Sequence, residues 1–174
     1  GGVLPADAGQ IEIDGKSVVF HTPAESLNAG IGFIHQELNL INDLAVYENM
    51  FIGRELVQKN GLLDAKRMIQ ETQGVFDRLD LELDPRVMVR DLDASYKQIV
   101  EIARALMMNA SIIIMDEPTS SLTEPEIERV FAMMRALKGQ GVGIIFISHK
   151  LKEVMQICDR FAILRDGNMV AEGA

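Results

Sequence analysis

Residues 112–115 are Ile-Ile-Ile-Met, and Asp116 and Glu117 follow directly. Four apolar residues running into two carboxylates constrain this chain more than any other segment. So short an apolar run predicts a strand buried on both faces, the kind found in parallel sheets flanked by helices. Open sheets of that kind take ligands at the C-terminal ends of their strands, where these two carboxylates stand. Asp116 can hold Mg²⁺, directly or through water, and Glu117 can orient or deprotonate an attacking water. Together they read as the Walker B half of a nucleotide-hydrolysing site. The Pro-Thr-Ser-Ser-Leu that follows favours this over a buried strand that merely ends in an acidic turn.

The complementary half is not found. A Gly-x-x-x-x-Gly-Lys-Ser/Thr run, whose backbone N–H groups and lysine cradle phosphates, occurs nowhere in the 174 residues. The opening Gly1-Gly2-Val3-Leu4-Pro5 is expected to lie already past that motif. The N-terminal strand, the P-loop and its helix are therefore expected to be missing. Two expectations follow: weak or no ATP binding by this chain alone, and a marginal fold. The missing strand is expected between residues 112–115 and 142–147, leaving both with exposed edges.

Bulk properties exclude several classes. The length suffices for one domain with a real core. Hydrophobic content of 48 % and charged content of 25 % are ordinary for a globular chain. A net charge of −9 argues against a nucleic-acid partner. The single cysteine, Cys158, cannot form an internal disulfide and is expected to pack as a small hydrophobe at a helix end. No apolar run approaches the ~20 residues of a membrane span. The 10 methionines are expected to be packing residues.

Along the chain, residues 10–20 predict a β-hairpin about Asp14-Gly15. Thr22-Pro23 predicts the cap and first position of a short helix stopped by Gly30. Residues 31–35 predict a strand, and 64–81 and 94–108 amphipathic helices. Thr123 and Glu126 predict a capping box opening a helix to about residue 138. A buried strand over 142–148, a helix over 150–158 and a strand over 159–164 follow, with a turn at Asp166-Gly167. Strands alternate with helices in the later half, so the fold class is α/β with a parallel sheet. The middle is mainly helical.

Three further features join the carboxylate pair: Gln36 at the end of one strand, the segment Leu92-Asp-Ala-Ser-Tyr96 opening a helix, and His149 at the end of another strand. In this order they resemble the Q-loop, signature helix, Walker B, D-loop and H-loop of ABC transporter ATP-binding domains. Residues 29–41 (Ala-Gly-Ile-Gly-Phe-Ile-His-Gln-Glu-Leu-Asn-Leu-Ile), 48–55, 98–103, 121–123, 157–160 and 165–167 narrow the likeness. They resemble the first ATPase half of ribose/galactose/xylose-type monosaccharide importers.

The resemblance implies a P-loop NTPase-like, three-layer α/β fold. It has a mostly parallel sheet, an antiparallel hairpin region and a helical subdomain. Residues 1–43 and 109–174 would be core and 44–108 the subdomain. It implies ATP and Mg²⁺ as cofactors. Asp116 would support the metal, Glu117 polarise water, His149 contact the γ-phosphate, and Gln36 sense metal or water. Ser121 would cross to a second ATPase half. Other implied partners are membrane permease subunits and, indirectly, a sugar-binding protein, at the cytoplasmic face of the bacterial plasma membrane. Asp93, Ala94 and Ser95 stand where a Ser-Gly-Gly run would meet phosphate on the opposing half. Asp93 is a good helix cap, yet it puts like charge beside phosphate; two unit charges at ~4 Å and an effective dielectric of ~20 interact by roughly 4 kcal/mol, and on the order of 1 kcal/mol or more is expected to remain once solvent and Mg²⁺ reduce it. Ser95 is expected to hinder close approach of the backbone. Two other readings remain: an ATPase-deficient half that only docks to a permease, and a non-transport ABC ATPase. The acidic charge and Ser121-Leu-Thr123 speak against the second of these.

Overall fold

The computed structural model describes residues 2–4 and 6–174. Strands β1 (Ile11–Ile13) and β2 (Lys16–Val18) form the expected antiparallel hairpin, with Ile13 opposite Lys16. Its turn residues Asp14 and Gly15 both have positive φ, 50° and 72°, as a two-residue turn matching strand twist requires. Thr22 caps α1 (Pro23–Asn28) by accepting from the Glu25 N–H at 3.2 Å. β3 (Ile31–Ile34) follows, and a helical stretch then leads to β4. It holds α2 (Val46–Met50), α3 (Ala65–Arg78), a 3₁₀ turn (Val89–Asp91) and α4 (Ala94–Met107). Beyond β4 (Ile112–Asp116) come α5 (Glu124–Gly139), β5 (Gly143–Ile147) and α6 (Leu151–Ile157). The hairpin β6 (Phe161–Arg165) and β7 (Asn168–Gly173) ends the chain.

The central sheet has the order β3-β4-β5 and is parallel throughout. Its register aligns the three C-terminal ends: Ile34 faces Met115, Met115 faces Phe146, and Asp116 faces Ile147. This corrects the expectation that residues 112–115 and 142–147 flank a missing strand. They pair directly, Ile113 opposite Ile144, and β4 is the interior strand. The physical reason is that α5 makes β4-α5-β5 an ordinary crossover unit, whose adjacent strands satisfy each other's backbone groups.

Burial on β4 alternates, against the expectation of a strand buried on both faces. Ile113 and Met115 are fully buried, whereas Ile112 and Ile114 are only partly so. Helices α4 and α5 pack on each other and against β3 and β5, covering one face. The Phe131 and Phe146 rings meet edge to face there, 6.0 Å between centroids. On the other face Phe33, Ile145 and Ile147 stay exposed, with the His35 ring 4.7 Å from that of Phe33.

One continuous apolar cluster joins sheet and helices. It includes Val46 and Met50 of α2, Met68 and Phe76 of α3, Ile99 and Ile102 of α4, and Val130, Phe131 and Leu137 of α5. Met50, Met68, Met115, Met133 and Met134 are buried packing residues, while Met155 and Met169 lie exposed. Cys158 ends α6 half-buried, and that burial pushes its thiol pKa up.

Candidate functional site

The shared C-terminal edge of β3, β4 and β5 gathers four of the expected residues. Gln36 stands two positions beyond β3, exposed and pointing to no bonded partner among the described residues. Asp116 is the last residue of β4, half-buried. Glu117 follows in the left-handed region, φ 47°, and its N–H donates to the Ile147 carbonyl at 2.9 Å. A non-glycine residue held there carries backbone strain, of the kind found where a side chain has to be aimed. His149 leaves β5 two residues after Ile147, and its Nδ1 lies 2.8 Å from Glu117 Oε1.

That last contact fixes the ring chemistry. An ionised carboxylate only accepts, so Nδ1 carries the hydrogen and donates to Glu117. Nε2 is then an acceptor on the neutral ring and a second donor on the charged ring. Oε2 of Glu117 remains free to accept from water. The Glu117 side chain is 30 % exposed and that of His149 70 %, so both groups are open to a ligand.

Among the described residues no group of three or more His, Cys, Asp and Glu side chains could enclose a metal. This donor set suits Mg²⁺, which keeps several waters and binds through one or two carboxylates plus substrate phosphates. Asp116 fits as that carboxylate, with Gln36 on the neighbouring strand end.

Asp93, Ala94 and Ser95 lie apart from this edge. Among the described residues no hydrogen bond or ion pair links them to Gln36, Asp116, Glu117 or His149. Asp93 caps α4, accepting from the Tyr96 N–H at 2.8 Å and the Ser95 hydroxyl at 2.7 Å. Arg129 of α5 donates to Asp93 Oδ2 at 2.9 Å and to Ser95 Oγ at 2.5 Å, and stacks over the Tyr96 ring at 4.6 Å. Burial pushes the Asp93 carboxyl up, but the bonds from Tyr96, Ser95 and Arg129 outweigh it and hold the pKa below its ordinary value. Two features bear on how this segment would meet a phosphate. The Asp93 charge is paired with Arg129, which lowers its repulsion of a phosphate below that of an unpaired carboxylate. The Ser95 side chain is fully buried against Asp93 and Arg129. Ser121 is exposed in the turns that follow Glu117.

Sequence reasoning missed Arg129, and with it Thr119, Lys150 and Glu153, which bond one another beside the Glu117 turn. It also missed Glu101 and Arg104. Glu101 accepts from the Asn39 N–H at 2.9 Å and pairs with Arg104 at 2.7 Å, tying the loop after Gln36 to α4. These partners are separated by 31 to 62 residues, except where one helical turn joins them, and no local pattern marks them.

The chain is similar to known proteins over nearly its whole length. The ABC transporter family model matches residues 1–120. The galactose/methyl galactoside import ATP-binding protein MglA of Salmonella typhimurium strain LT2 is 47 % identical over 170 residues. The protein of the same name from Escherichia coli strain K12 is 46 % identical. Each match covers 98 % of this chain and 33 % of the relative, so the chain spans about a third of the length of these relatives. Among solved structures, the ADP conformation of MJ1267, an ATP-binding cassette of an ABC transporter, superposes with a TM-score of 0.83 at 26 % identity. That match covers 99 % of this chain and 71 % of the other. A nucleotide-free cassette from an ABC transporter gives 0.79 at 25 %, covering 99 % and 72 %. The α/β fold is thus that of an ABC ATPase, and the chain belongs to the ABC transporter ATP-binding family.

Proposed function

We propose that this chain supplies the hydrolytic edge of an MgATP site that energises import of a galactose-type monosaccharide. What carries the reading is the convergence of Gln36, Asp116, Glu117 and His149 on one sheet edge, with Glu117 bonded to His149. The 46–47 % identity to galactose import ATP-binding proteins supports the substrate class. Phosphoryl transfer asks little covalent chemistry of a protein and much positioning. Glu117 accepts a hydrogen bond from the attacking water and aims its lone pair at phosphorus. His149, fixed through Nδ1, presents Nε2 to the phosphate. Asp116, with Gln36, would hold Mg²⁺, whose charge offsets that on the phosphate oxygens. Residues 44–108 act as a helical subdomain, and Ser121 faces a second ATPase half. The assembly sits on the cytoplasmic face of the membrane with permease subunits and, through them, a sugar-binding protein. No helix among the described residues is long and apolar enough to cross a membrane.

The phosphate cradle is not encoded in these 174 residues, so calorimetry on this chain alone should find MgATP binding weak or undetectable. Low-micromolar affinity would overturn that assignment of roles. In an ATPase-competent protein containing the chain, Glu117→Gln should leave MgATP binding intact and cut turnover about 10²-fold or more. Turnover within a few-fold of wild type would remove Glu117 from the role of base. Galactose uptake with the matching permease, lost in the same variant, tests the transport assignment.

A further inference from the structure

Helix α6 has one buried residue, and that residue is a carboxylate, Glu153, 7 % exposed. Burying a charged group costs free energy unless partners satisfy it. Two do so. Thr119 Oγ1, on a residue 1 % exposed, donates to Glu153 Oε2 at 2.5 Å. Lys150 Nζ pairs with Glu153 Oε1 at 3.1 Å and donates to the Thr119 carbonyl at 3.0 Å. The remaining polar links of α6, Gln156 to Glu128 and Lys152 to Glu124, are between exposed side chains, where such pairs contribute little. Ile157, partly buried, adds an apolar contact at the far end.

The triangle joins two particular segments. Thr119 lies two residues past Glu117, and Lys150 lies one past His149. The Glu117–His149 contact is half open to water and would be loosely held by itself. We propose that Thr119, Lys150 and Glu153 form a clamp that locks the turn after β4 to the start of α6 and so holds His149 against Glu117. They are positioning residues for hydrolysis and touch no substrate. The inference rests on the reading of Glu117 and His149 as the hydrolytic pair.

Two sets of measurements test it. On this chain, ¹⁵N-labelled imidazole spectra report whether His149 Nδ1 carries a hydrogen-bonded proton, and amide exchange reports on α6. Glu153→Ala should abolish the Nδ1–H bond and speed exchange over α6 by about tenfold or more, leaving α4 unchanged. Glu153→Gln keeps an acceptor for Thr119 and should restore much of both. In an ATPase-competent protein containing the chain, Glu153→Ala should lower kcat about tenfold or more with KM for MgATP within about twofold. If Glu153→Ala does not fold, Lys150→Met and Thr119→Val decide, each removing one side of the triangle. An unchanged His149 spectrum and unchanged α6 exchange would overturn the clamp. So would a fall in kcat with the Nδ1–H bond intact. A wild-type protein that does not hydrolyse MgATP would sink the proposed function, while the spectra and exchange would still decide the clamp.

Discussion

Two carboxylates, Asp93 capping α4 and Glu101 within it, respond to pH in opposite senses, because one is paired near the surface and the other is buried. The Asp93 pKa lies below its ordinary value despite burial, through Tyr96, Ser95 and Arg129. The stability it contributes is present above the unfolded carboxylate range and is lost as pH falls through the folded value. Glu101 is raised by burial, against the opposing pull of Arg104, the Asn39 N–H and His35. The folded state therefore holds the Glu101 proton more tightly, and the contribution of this group falls as pH rises through its folded value. Urea melts across the acid range should show Asp93→Asn flattening the loss of stability toward low pH, since Asn still caps a helix. Glu101→Gln should instead remove a component that favours folding at low pH. At neutral pH Asp93→Ala should cost about 1 kcal/mol, the usual value of a lost N-cap. An acid limb identical to wild type in Asp93→Asn would show that Arg129 does not govern the carboxyl. The cap itself was legible from Asp93 and the amphipathic run after it. Arg129 was not, because it reaches Asp93 from another helix, 36 residues away.

At the scale of elements, local signals placed nearly every helix and strand, and non-local pairing decided what they did not show. The Asp14-Gly15 turn, the Thr22 cap and the Thr123–Glu126 pair are short-range chemistry, and all form. In the last of these the Thr123 hydroxyl donates to Glu126 at 2.7 Å, alongside the Thr123 N–H at 2.8 Å. Which strand neighbours which is long-range, and the expected gap between residues 112–115 and 142–147 proved to be a direct pairing. The alternation of burial along β4 was equally hidden, since an unbroken apolar run over residues 112–115 reads the same whether or not both faces are covered. Close packing of α4 on β3 explains a glycine no pattern singled out. A Cβ on Gly32 would meet the Ala105 Cβ at 3.0 Å and the Ala110 Cβ at 3.3 Å. Gly32→Ala should therefore destabilise by about 1–3 kcal/mol, as overpacking does. Ala105→Gly in the same chain should recover part of that loss, an interaction a double-mutant cycle on urea melts reads directly. Simple additivity of the two changes would mean that helix and strand do not meet at this point.

For the molecule as a whole, two opposing properties set its behaviour in solution. A net charge of −9 keeps copies apart. Against it stand an outer edge of β5 that no strand among the described residues pairs and a sheet face on which Ile145 is 52 % and Ile147 45 % exposed. An apolar edge strand of this kind is a template for pairing with another chain. Salt separates the two effects, since the screening length is about 8 Å at physiological ionic strength and about 3 Å at 1 M. Repulsion between copies fades with added salt, whereas apolar association does not. Self-association measured by light scattering should therefore rise from low to high salt. Ile145→Lys should suppress that rise by placing a charge on the edge, and adding Ile147→Thr should suppress it further. Neither change touches a buried side chain, so the midpoint of thermal unfolding should stay within a few degrees of wild type. Ile147 would still accept the Glu117 N–H through its backbone carbonyl, so the turn that aims Glu117 should survive. Association that falls with salt, or that persists unchanged in the double variant, would place the sticky surface elsewhere and leave the open face of the sheet without consequence for solubility.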